Sequence, residues 1–224
     1  MTENQTDTPQ NNNRNLIVGG NIGKNTLTPN ALAALDYATC FEKMYEYVDY
    51  FTLNISCPNI KGMDGLQDSD SVEALLGEVM KIRAGMAKKK PVFLKISPDL
   101  TKEKLDEVIG IYYKSGLDGI VAANTTTKRE PLSLSREKID EIGNGGLSGK
   151  PLFERVKETI VYICKQTSNE IPIIAVGGIM NPENAAELIR AGASLVQVYT
   201  GFIYEGPFMI KRINKYLDSI LATE

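Results

Sequence analysis

The sequence predicts an α/β protein on the (β/α)8, or TIM-barrel, plan, with only about six of the eight strand–helix units present. Short runs rich in Val, Ile and Phe alternate strictly with longer amphipathic stretches. Several of the runs are apolar throughout, as parallel strands buried on both faces are. Every run also ends in a polar or glycine-rich motif. Strict alternation of this kind predicts parallel strands joined by right-handed crossovers.

Six runs are predicted as strands. They are LIVGG from Leu16, FTLNIS from Phe51, VFLKIS from Val92, GIVAANT from Gly119, PIIAVGGI from Pro172 and LVQVYTG from Leu195. Helices are predicted over 30–48, 71–87, 102–115, 151–167, 182–191 and 207–221. Thr101 and Asn181 provide helix-start signals, and Gly116 and Gly192 follow predicted helix ends, where a left-handed residue is typical.

The polar strand ends favour a barrel over an open doubly wound sheet. An open sheet gathers its chemistry at one switch point, whereas a barrel uses the carboxyl ends of many strands. A typical barrel has eight units in ~250 residues, and this chain offers six in 224 residues. The runs beginning at Leu16 and Leu195 are therefore predicted to be open sheet edges, which favour self-association.

Residues 1–14, MTENQTDTPQNNNR, are polar and predicted to be a disordered tail, with residues 15–224 forming the partial barrel domain. A net charge of −3, with Lys88–Lys90 as the one basic tract, argues against nucleic acid as a partner. No apolar run approaches the ~20 residues of a membrane span. These features predict a soluble protein.

The chain has no histidine, which excludes an imidazole base and any histidine-ligated metal site, so no metal is expected. Three scattered cysteines make a disulfide framework improbable and indicate a reducing cytosol. Cys40 and Cys164 fall inside predicted helices, where packing is the simpler interpretation.

The segment LNISCPN, residues 53–59, is the most specific motif. Asn54 and Ser56 share one face of a strand, and Pro58 ends it. Cys57 begins the loop above the predicted barrel mouth, where a thiol of lowered pKa can act as a base or nucleophile. The alternative is a small apolar cysteine at a strand end.

Lys95 lies inside the apolar run VFLKIS, on the same face as Phe93 and Ser97. A lysine in a buried strand is costly unless it meets an anion or an electron-rich ring. We therefore expect Lys95 to face a ligand. The alternative is a lysine on the outside of the barrel that extends its ammonium group between the helices.

Asn124, Thr125 and Thr126 end the next strand and suit recognition of a flat polar ring, although a simple Asx or Thr turn is an equal alternative. The motifs VGGI and VYTG, which include Gly178 and Thr200, are typical of a phosphate site built after the last two strands of a barrel. The motif GGLSGKPL, residues 145–152, adds a further glycine-rich turn.

Taken together, these motifs resemble the dihydroorotate dehydrogenase family, and in particular its quinone-linked, membrane-associated class. The matching strings, in family order, are NLIVGGNIGKN, YFTLNISCPN, LKISPDLT, GIVAANTTT, GGLSGKPL, PIIAVGGI and ASLVQVYTGFIYEGP. They extend from Asn15 to Leu221. The resemblance implies a TIM barrel whose first two strands, substrate loop and amino-terminal helical extension have no counterpart here.

The resemblance also implies roles for individual residues. FMN-contacting positions are matched by Asn21, Asn54, Lys95, Ala123, Gly149, Gly178, Tyr199 and Thr200. Dihydroorotate contacts are matched by Asn54, Asn59, Asn124 and Thr125, and the catalytic base is matched by Cys57. The quinone-linked class usually has serine at this last position, whereas cysteine is usual in the fumarate- or NAD-linked classes.

The implied activity is FMN-dependent oxidation of dihydroorotate to orotate in de novo pyrimidine biosynthesis, with quinone as the electron acceptor. The implied location is the cytoplasm, or the inner face of the cell membrane through the missing extension. Two alternatives remain open. One is a non-catalytic fragment or remnant of this enzyme, and the other is a different FMN barrel such as a dihydrouridine synthase, which should carry a basic RNA-binding face.

Overall fold

The structure is a computed structural model, and it describes residues 16–55, 69–129 and 132–222. Within them, six parallel strands form one sheet whose spatial order follows the chain. The strands are β1 (Gly19–Ile22), β2 (Tyr50–Asn54), β3 (Val92–Ile96), β4 (Gly119–Ala122), β5 (Ile173–Val176) and β6 (Leu195–Gln197). This order is the one predicted for consecutive strand–helix units.

Helices connect the strands. They are α1 (Ala33–Met44), α2 (Ser69–Gly85), α3 (Lys102–Ser115), α4 (Arg136–Ile142), α5 (Phe153–Gln166), α6 (Pro182–Arg190), α7 (Thr200–Glu205) and α8 (Phe208–Leu221). Short 3-10 turns at Asn30–Leu32 and Tyr45–Tyr47 flank α1, and one at Lys150–Leu152 leads into α5. The predicted caps are confirmed: Thr101 and Asn181 accept backbone N–H groups at the starts of α3 and α6, and Gly116 ends α3 in a left-handed conformation.

The sheet is curled rather than flat. Tyr50 in β2 and Gln197 in β6 are separated by three intervening strands, which in a flat sheet would place them ~19 Å apart. Their side chains nevertheless meet, with the Gln197 amide nitrogen 3.5 Å from the Tyr50 hydroxyl. The six strands therefore form an arc, as expected for part of a (β/α)8 barrel.

The hydrophobic core lies between the helices and the convex face of this arc. Along β3, Val92, Leu94 and Ile96 are buried on the convex face, whereas Phe93 and Lys95 are half-buried on the concave one. The Phe51 ring of β2 packs 4.2 Å from the Phe41 ring of α1, measured between ring centroids. The helices thus cover one side of the sheet, and the other side carries the side chains of a barrel interior.

The outer strands have one neighbour each among the described residues, since β1 pairs with β2 and β6 pairs with β5. The prediction that the first and last strands are sheet edges is confirmed for this part of the chain. The predicted count of six strands is confirmed as well.

The predicted position of the first strand was wrong. We predicted it from Leu16, but β1 begins at Gly19, and Leu16 and Ile17 are 71% and 75% exposed. The register with β2 is responsible, because Gly19 pairs with Tyr50, the first residue of β2, so earlier residues extend beyond its partner. Gly19 also lies against the Tyr50 ring, where an added Cβ would come within 2.3 Å of Cζ.

Two additional helices and three strand ends also differ from the prediction, since β4 stops at Ala122 and β5 at Val176, before the ends of the runs GIVAANT and PIIAVGGI. The last strand was predicted to reach Gly201, but β6 stops at Gln197, and Thr200 begins the short helix α7. A second additional helix, α4, lies in the connection between β4 and α5. Both helices are short, with six and seven residues, and neither displays the long amphipathic period from which helices were predicted.

Candidate active site at the carboxyl ends of the strands

A cavity of about 510 Å³ opens at the carboxyl ends of β3 to β6. Its size is typical of sites for small molecules and cofactors, which occupy about 300–1,000 Å³. Eight of the residues singled out from the sequence line it. They are Lys95, Ala123, Asn124, Thr125, Gly149, Gly178, Tyr199 and Thr200.

Lys95 faces this cavity from the concave side of β3. It is paired in register with Val121 of β4, and the alternation along β3 places it opposite the helix-facing residues Leu94 and Ile96. The alternative of a lysine on the outer surface is therefore wrong. Burial lowers the pKa of the Lys95 ammonium group, because desolvation penalises its charged form.

Two amide side chains meet beside this lysine. Asn54, at the end of β2, is paired in register with Lys95, and its side-chain oxygen accepts a hydrogen bond of 3.1 Å from the Asn124 side chain. The Tyr37 hydroxyl donates to the Asn54 backbone oxygen at 2.7 Å. This bond ties the carboxyl end of β2 to α1.

Asn124 fits both interpretations that the sequence left open, a local turn and a recognition site for a polar ring. Its Oδ1 accepts the backbone N–H of Thr125 at 2.9 Å, which is a local turn contact. The same residue lines the cavity together with Thr125. A turn and a recognition surface are therefore compatible, since the turn presents these polar groups to the cavity.

On the opposite side of the cavity, the turn after β5 can be formed only by residues without a side chain. Gly177 and Gly178 have φ angles of +128° and +76°. A Cβ at Gly178 would come within 2.4 Å of the Phe153 Cα at the start of α5. Glycine therefore lets the backbone of this turn pack directly against the start of α5 while the turn lines the cavity.

The glycine-rich segment 145–152 contacts the start of α7. Gly149 has a φ of +83°, and a Cβ there would lie 2.9 Å from the Thr200 methyl carbon. The Thr200 hydroxyl donates to the Ser148 hydroxyl at 3.0 Å. Thr200 and Gly149 thus come together at the cavity although they are 51 residues apart in the sequence.

Four predicted site residues are not among those that line the cavity. Asn54 is one of them and reaches it through its hydrogen bond to Asn124. Asn21 lies on the edge strand β1, where it is exposed and pairs in register with Thr52 on the concave face. Cys57, the predicted base, and Asn59, a predicted substrate contact, lie outside the described residues. Their roles stay predictions.

Sequence reasoning missed a polar cluster next to the cavity. The carboxylate of Asp99 accepts hydrogen bonds from the Thr126 hydroxyl (2.6 Å), the Thr127 backbone N–H (3.0 Å) and the Arg155 guanidinium (2.5 Å). Burial alone raises the pKa of Asp99, but these hydrogen bonds and the charge of Arg155 outweigh it and lower that pKa. The signal was Asp99 itself, which directly follows the β3 motif as ISPD.

Other chemistry is limited in the described parts of the chain. No group of three or more acidic, cysteine or histidine side chains there could hold a metal ion. None of the described helices is long and apolar enough to cross a membrane.

Two cysteines lie in helices, as predicted for packing residues. Cys40 in α1 is half-buried and Cys164 in α5 is buried. Burial raises the pKa of the Cys164 thiol.

Comparison with curated proteins gives close relatives over most of the chain. A protein of Christiangramia forsetii named dihydroorotate dehydrogenase (quinone) is 47% identical over 91% of this chain and 58% of its own length. Proteins of the same name from Coxiella burnetii and Nostoc punctiforme are 45% and 44% identical, over 90% and 93% of this chain. The chain thus spans a little over half the length of these relatives.

Solved structures are similar as well. A DHODH from Eimeria tenella in complex with ferulenol superposes with a TM-score of 0.84 at 32% identity, covering 96% of this chain and 60% of that one. The ligand-free form gives the same TM-score. The family model for dihydroorotate dehydrogenase matches residues 1–221. The motifs alone had left a different FMN barrel, such as a dihydrouridine synthase, as an alternative. These matches show that the chain belongs to the dihydroorotate dehydrogenase family.

Proposed function

We propose that this chain forms the FMN- and dihydroorotate-binding side of an enzyme that oxidises dihydroorotate to orotate in de novo pyrimidine biosynthesis. The names of the relatives support quinone as the electron acceptor. The observation that carries the proposal is a desolvated lysine, Lys95, that lines one cavity together with the Asn124 amide and a glycine turn. A reducible ring with a phosphate tail suits this combination.

The residues present fit FMN. The turn at Gly177 and Gly178 and the contact between Gly149 and Thr200 leave backbone and hydroxyl groups available to a phosphate. Ala123 and Tyr199 complete the predicted cofactor contacts on the cavity wall. When bound, FMN supplies the acceptor for the hydride that leaves the substrate.

The protein side chains account for the remaining requirements of the reaction. Lys95 provides a positive charge beside the cofactor, which favours the electron-rich reduced form. Asn54, Asn124 and Thr125 present amide and hydroxyl groups that orient the planar, polar substrate. In this proposal, Asn59 adds a further substrate contact and the Cys57 thiolate removes the proton from substrate C5.

The test uses the purified chain, titrated with FMN while flavin fluorescence and visible absorbance are recorded, and then titrated with orotate. We expect flavin fluorescence to be quenched, and orotate to shift the flavin absorbance band. Lys95→Met should lower the midpoint potential of bound FMN by about 30 mV, equivalent to about 1.4 kcal/mol for a two-electron couple. A chain that binds no FMN at micromolar concentrations would contradict the proposal.

Lys90→Met is the matched control. Lys90 immediately precedes Pro91 and β3, at the opposite end of the strand from the cavity, and its ammonium group lies 4.7 Å from the Tyr45 ring centroid. This variant removes one positive charge, as Lys95→Met does, but at the amino end of β3. The FMN affinity and the midpoint potential of bound FMN should therefore match those of the unmodified chain. Equal effects of both substitutions would show that only the net charge matters.

A second candidate is a non-catalytic remnant, and the open sheet favours it. Among the described residues β1 and β6 each pair with one neighbour. Open edges of parallel strands offer unpaired backbone groups to other chains. A colourless protein whose size in gel filtration rises with concentration supports this candidate, whereas a flavin-bound protein supports the enzyme.

A further inference from the structure

The Asp99 cluster, defined as Asp99, Thr126, Thr127 and Arg155, lies behind the cavity wall and is absent from the cavity lining. It joins three segments that are far apart in the sequence: the β3–α3 connection, the β4–α4 connection and the first turn of α5. Arg155 donates to the Thr126 hydroxyl at 3.0 Å as well as to Asp99. A single carboxylate therefore links two site loops and one helix, through one backbone N–H and side chains.

Thr126 connects the Asp99 cluster to residues that line the cavity. It is 4% exposed and directly follows Thr125, which lines the cavity beside Asn124. Its backbone forms an isolated antiparallel bridge with Leu147, through N–H to O bonds of 3.1 Å and 2.8 Å. Leu147 is followed by Ser148 and Gly149, which also line the cavity.

The helix that supplies Arg155 also shapes the glycine turn. Phe153, at the start of α5, is the residue that a Cβ at Gly178 would strike, and Val156 is the nearest neighbour for a Cβ at Gly177. The Asp99 cluster is thus anchored to the element against which the predicted phosphate turn packs. Hydrogen bonds to an ionised acceptor are stronger than neutral ones, which suits Asp99 to this role.

We infer that Asp99 is a positioning residue for the substrate side of the cavity. It holds Asn124 and Thr125 in place through Thr126 and Thr127, without itself contacting substrate or cofactor. The inference rests on the proposed function, because it assigns these two residues to dihydroorotate and orotate. Misplacing a substrate-orienting group by about 1 Å is enough to lower activity by about 100-fold.

The test compares Asp99→Asn with Asp118→Asn. Asp118 is a chemical match at the other end of the sheet, since its carboxylate also accepts a backbone N–H, from Val92 at 2.8 Å, and pairs with an arginine, Arg83, at 2.8 Å. Both variants remove the charge of an arginine-paired aspartate, so both should lower the urea midpoint. Only the Asp99 variant should alter the site.

The first readout is ligand binding by the FMN-loaded chain. In Asp99→Asn we expect the orotate concentration that half-saturates the flavin absorbance shift to rise at least about 10-fold, with FMN affinity changed less. In Asp118→Asn both should stay within about two-fold of the unmodified chain. Similar orotate affinities in the two variants would overturn the inference, since Asp99 would then contribute to stability alone.

The second readout needs no ligand. Amide hydrogen exchange in the Asp99→Asn variant should accelerate at Thr126, Thr127 and Leu147, whose N–H groups bond within this region, and Asp118→Asn should not accelerate it there. If the unmodified chain binds neither FMN nor orotate, the proposed function fails, and exchange alone decides on the cluster. Unchanged exchange at these three amides would refute the positioning role.

Arg155 offers an independent variant if Asp99→Asn does not fold. Arg155→Met removes the donor to both Asp99 and Thr126, whereas Arg155→Lys keeps a cation that can reach one of them. We expect orotate affinity to fall most in the methionine variant and to be partly restored by lysine. Identical orotate affinities in the two variants would contradict a role for the ion pair.

Discussion

The two ends of the same six strands use polar residues in different ways. At the amino ends, Asp49 and Asp118 precede β2 and β4, and their carboxylates accept backbone N–H groups from Val18 (2.7 Å) and Val92 (2.8 Å). These carboxylates satisfy backbone groups beside the neighbouring strands. At the carboxyl ends, the side chains of Lys95 and Asn124 line a cavity of about 510 Å³, and Asn124 and Asp99 there accept backbone N–H groups as well.

This difference separates stabilising polar residues from ligand-binding ones. The carboxylates of Asp49 and Asp118 bond backbone groups away from the cavity, and the amino ends of barrel strands generally contribute to stability. Lys95 is partly desolvated within its strand and lines a space of ligand size. Substitutions at the carboxyl ends should therefore act on binding, and those at the amino ends should act on stability.

The largest effect is expected at the glycine turn after β5. Gly178→Val places a branched side chain at a φ of +76°, where even a Cβ would come within 2.4 Å of the Phe153 Cα. Backbone strain and overpacking together should lower the free energy of unfolding by about 3 kcal/mol and abolish FMN binding. Urea denaturation and flavin fluorescence measure the two effects.

Gly110→Ala is the control for this substitution. Gly110 lies inside α3, where an added Cβ meets no atom within 4 Å. Because glycine is unfavourable in a helix interior, alanine should raise the free energy of unfolding by about 0.5–1 kcal/mol. If Gly178→Val were equally harmless, the turn would not require glycine and its assignment as a phosphate site would lose its basis.

A smaller, pH-dependent effect is expected from Asp99. Hydrogen bonds from Thr126, Thr127 and Arg155 outweigh desolvation and lower the pKa of Asp99 in the folded chain. A carboxylate with a lowered folded-state pKa stabilises the fold above its unfolded pKa of about 3.9, and this contribution is lost as pH falls through the folded-state value. Asp99→Asn lacks that contribution at every pH.

The difference in urea midpoint between the unmodified chain and Asp99→Asn should therefore be largest near neutral pH. It should shrink as the pH is lowered from about 5 toward 2. Midpoints measured at several pH values across this range test the sign. A difference that grows toward acid pH would mean that the Asp99 carboxylate is destabilising in the folded chain.

The sequence predicted the features that depend on local pattern. The strands β2 to β5 and the helix α3 follow from apolar runs and caps, and the face of Lys95 follows from strand alternation. The start of β1 could not be read from its apolar run, because its register depends on where β2 begins. The Asp99 cluster was also out of reach, since Asp99 and Arg155 are brought together only by the tertiary fold.

The smallest effect is expected from the contact that links the amino end of β2 to the carboxyl end of β6 across the curled sheet. The Tyr50 ring packs against the Phe93 ring, with centroids 5.8 Å apart. The Tyr50 hydroxyl lies 3.5 Å from the Gln197 amide nitrogen. A hydrogen bond of that length is weak. Tyr50→Phe should therefore change the free energy of unfolding by less than about 0.5 kcal/mol.

Removal of the ring itself should have a much larger effect. Tyr50→Ala deletes the aromatic contact with Phe93 and the surface against which Gly19 of the edge strand lies, which should cost about 2 kcal/mol because Tyr50 is half-buried. Tyr50→Phe should leave the affinity for FMN unchanged, because the contact that it removes, to the cavity-lining Gln197, is weak and Tyr50 itself is at the amino end of β2. Urea denaturation of both variants, paired with flavin titration, measures the two quantities separately. A change in FMN affinity in Tyr50→Phe, without a change in stability, would mean that the two ends of the strands are coupled and that the division between them does not hold.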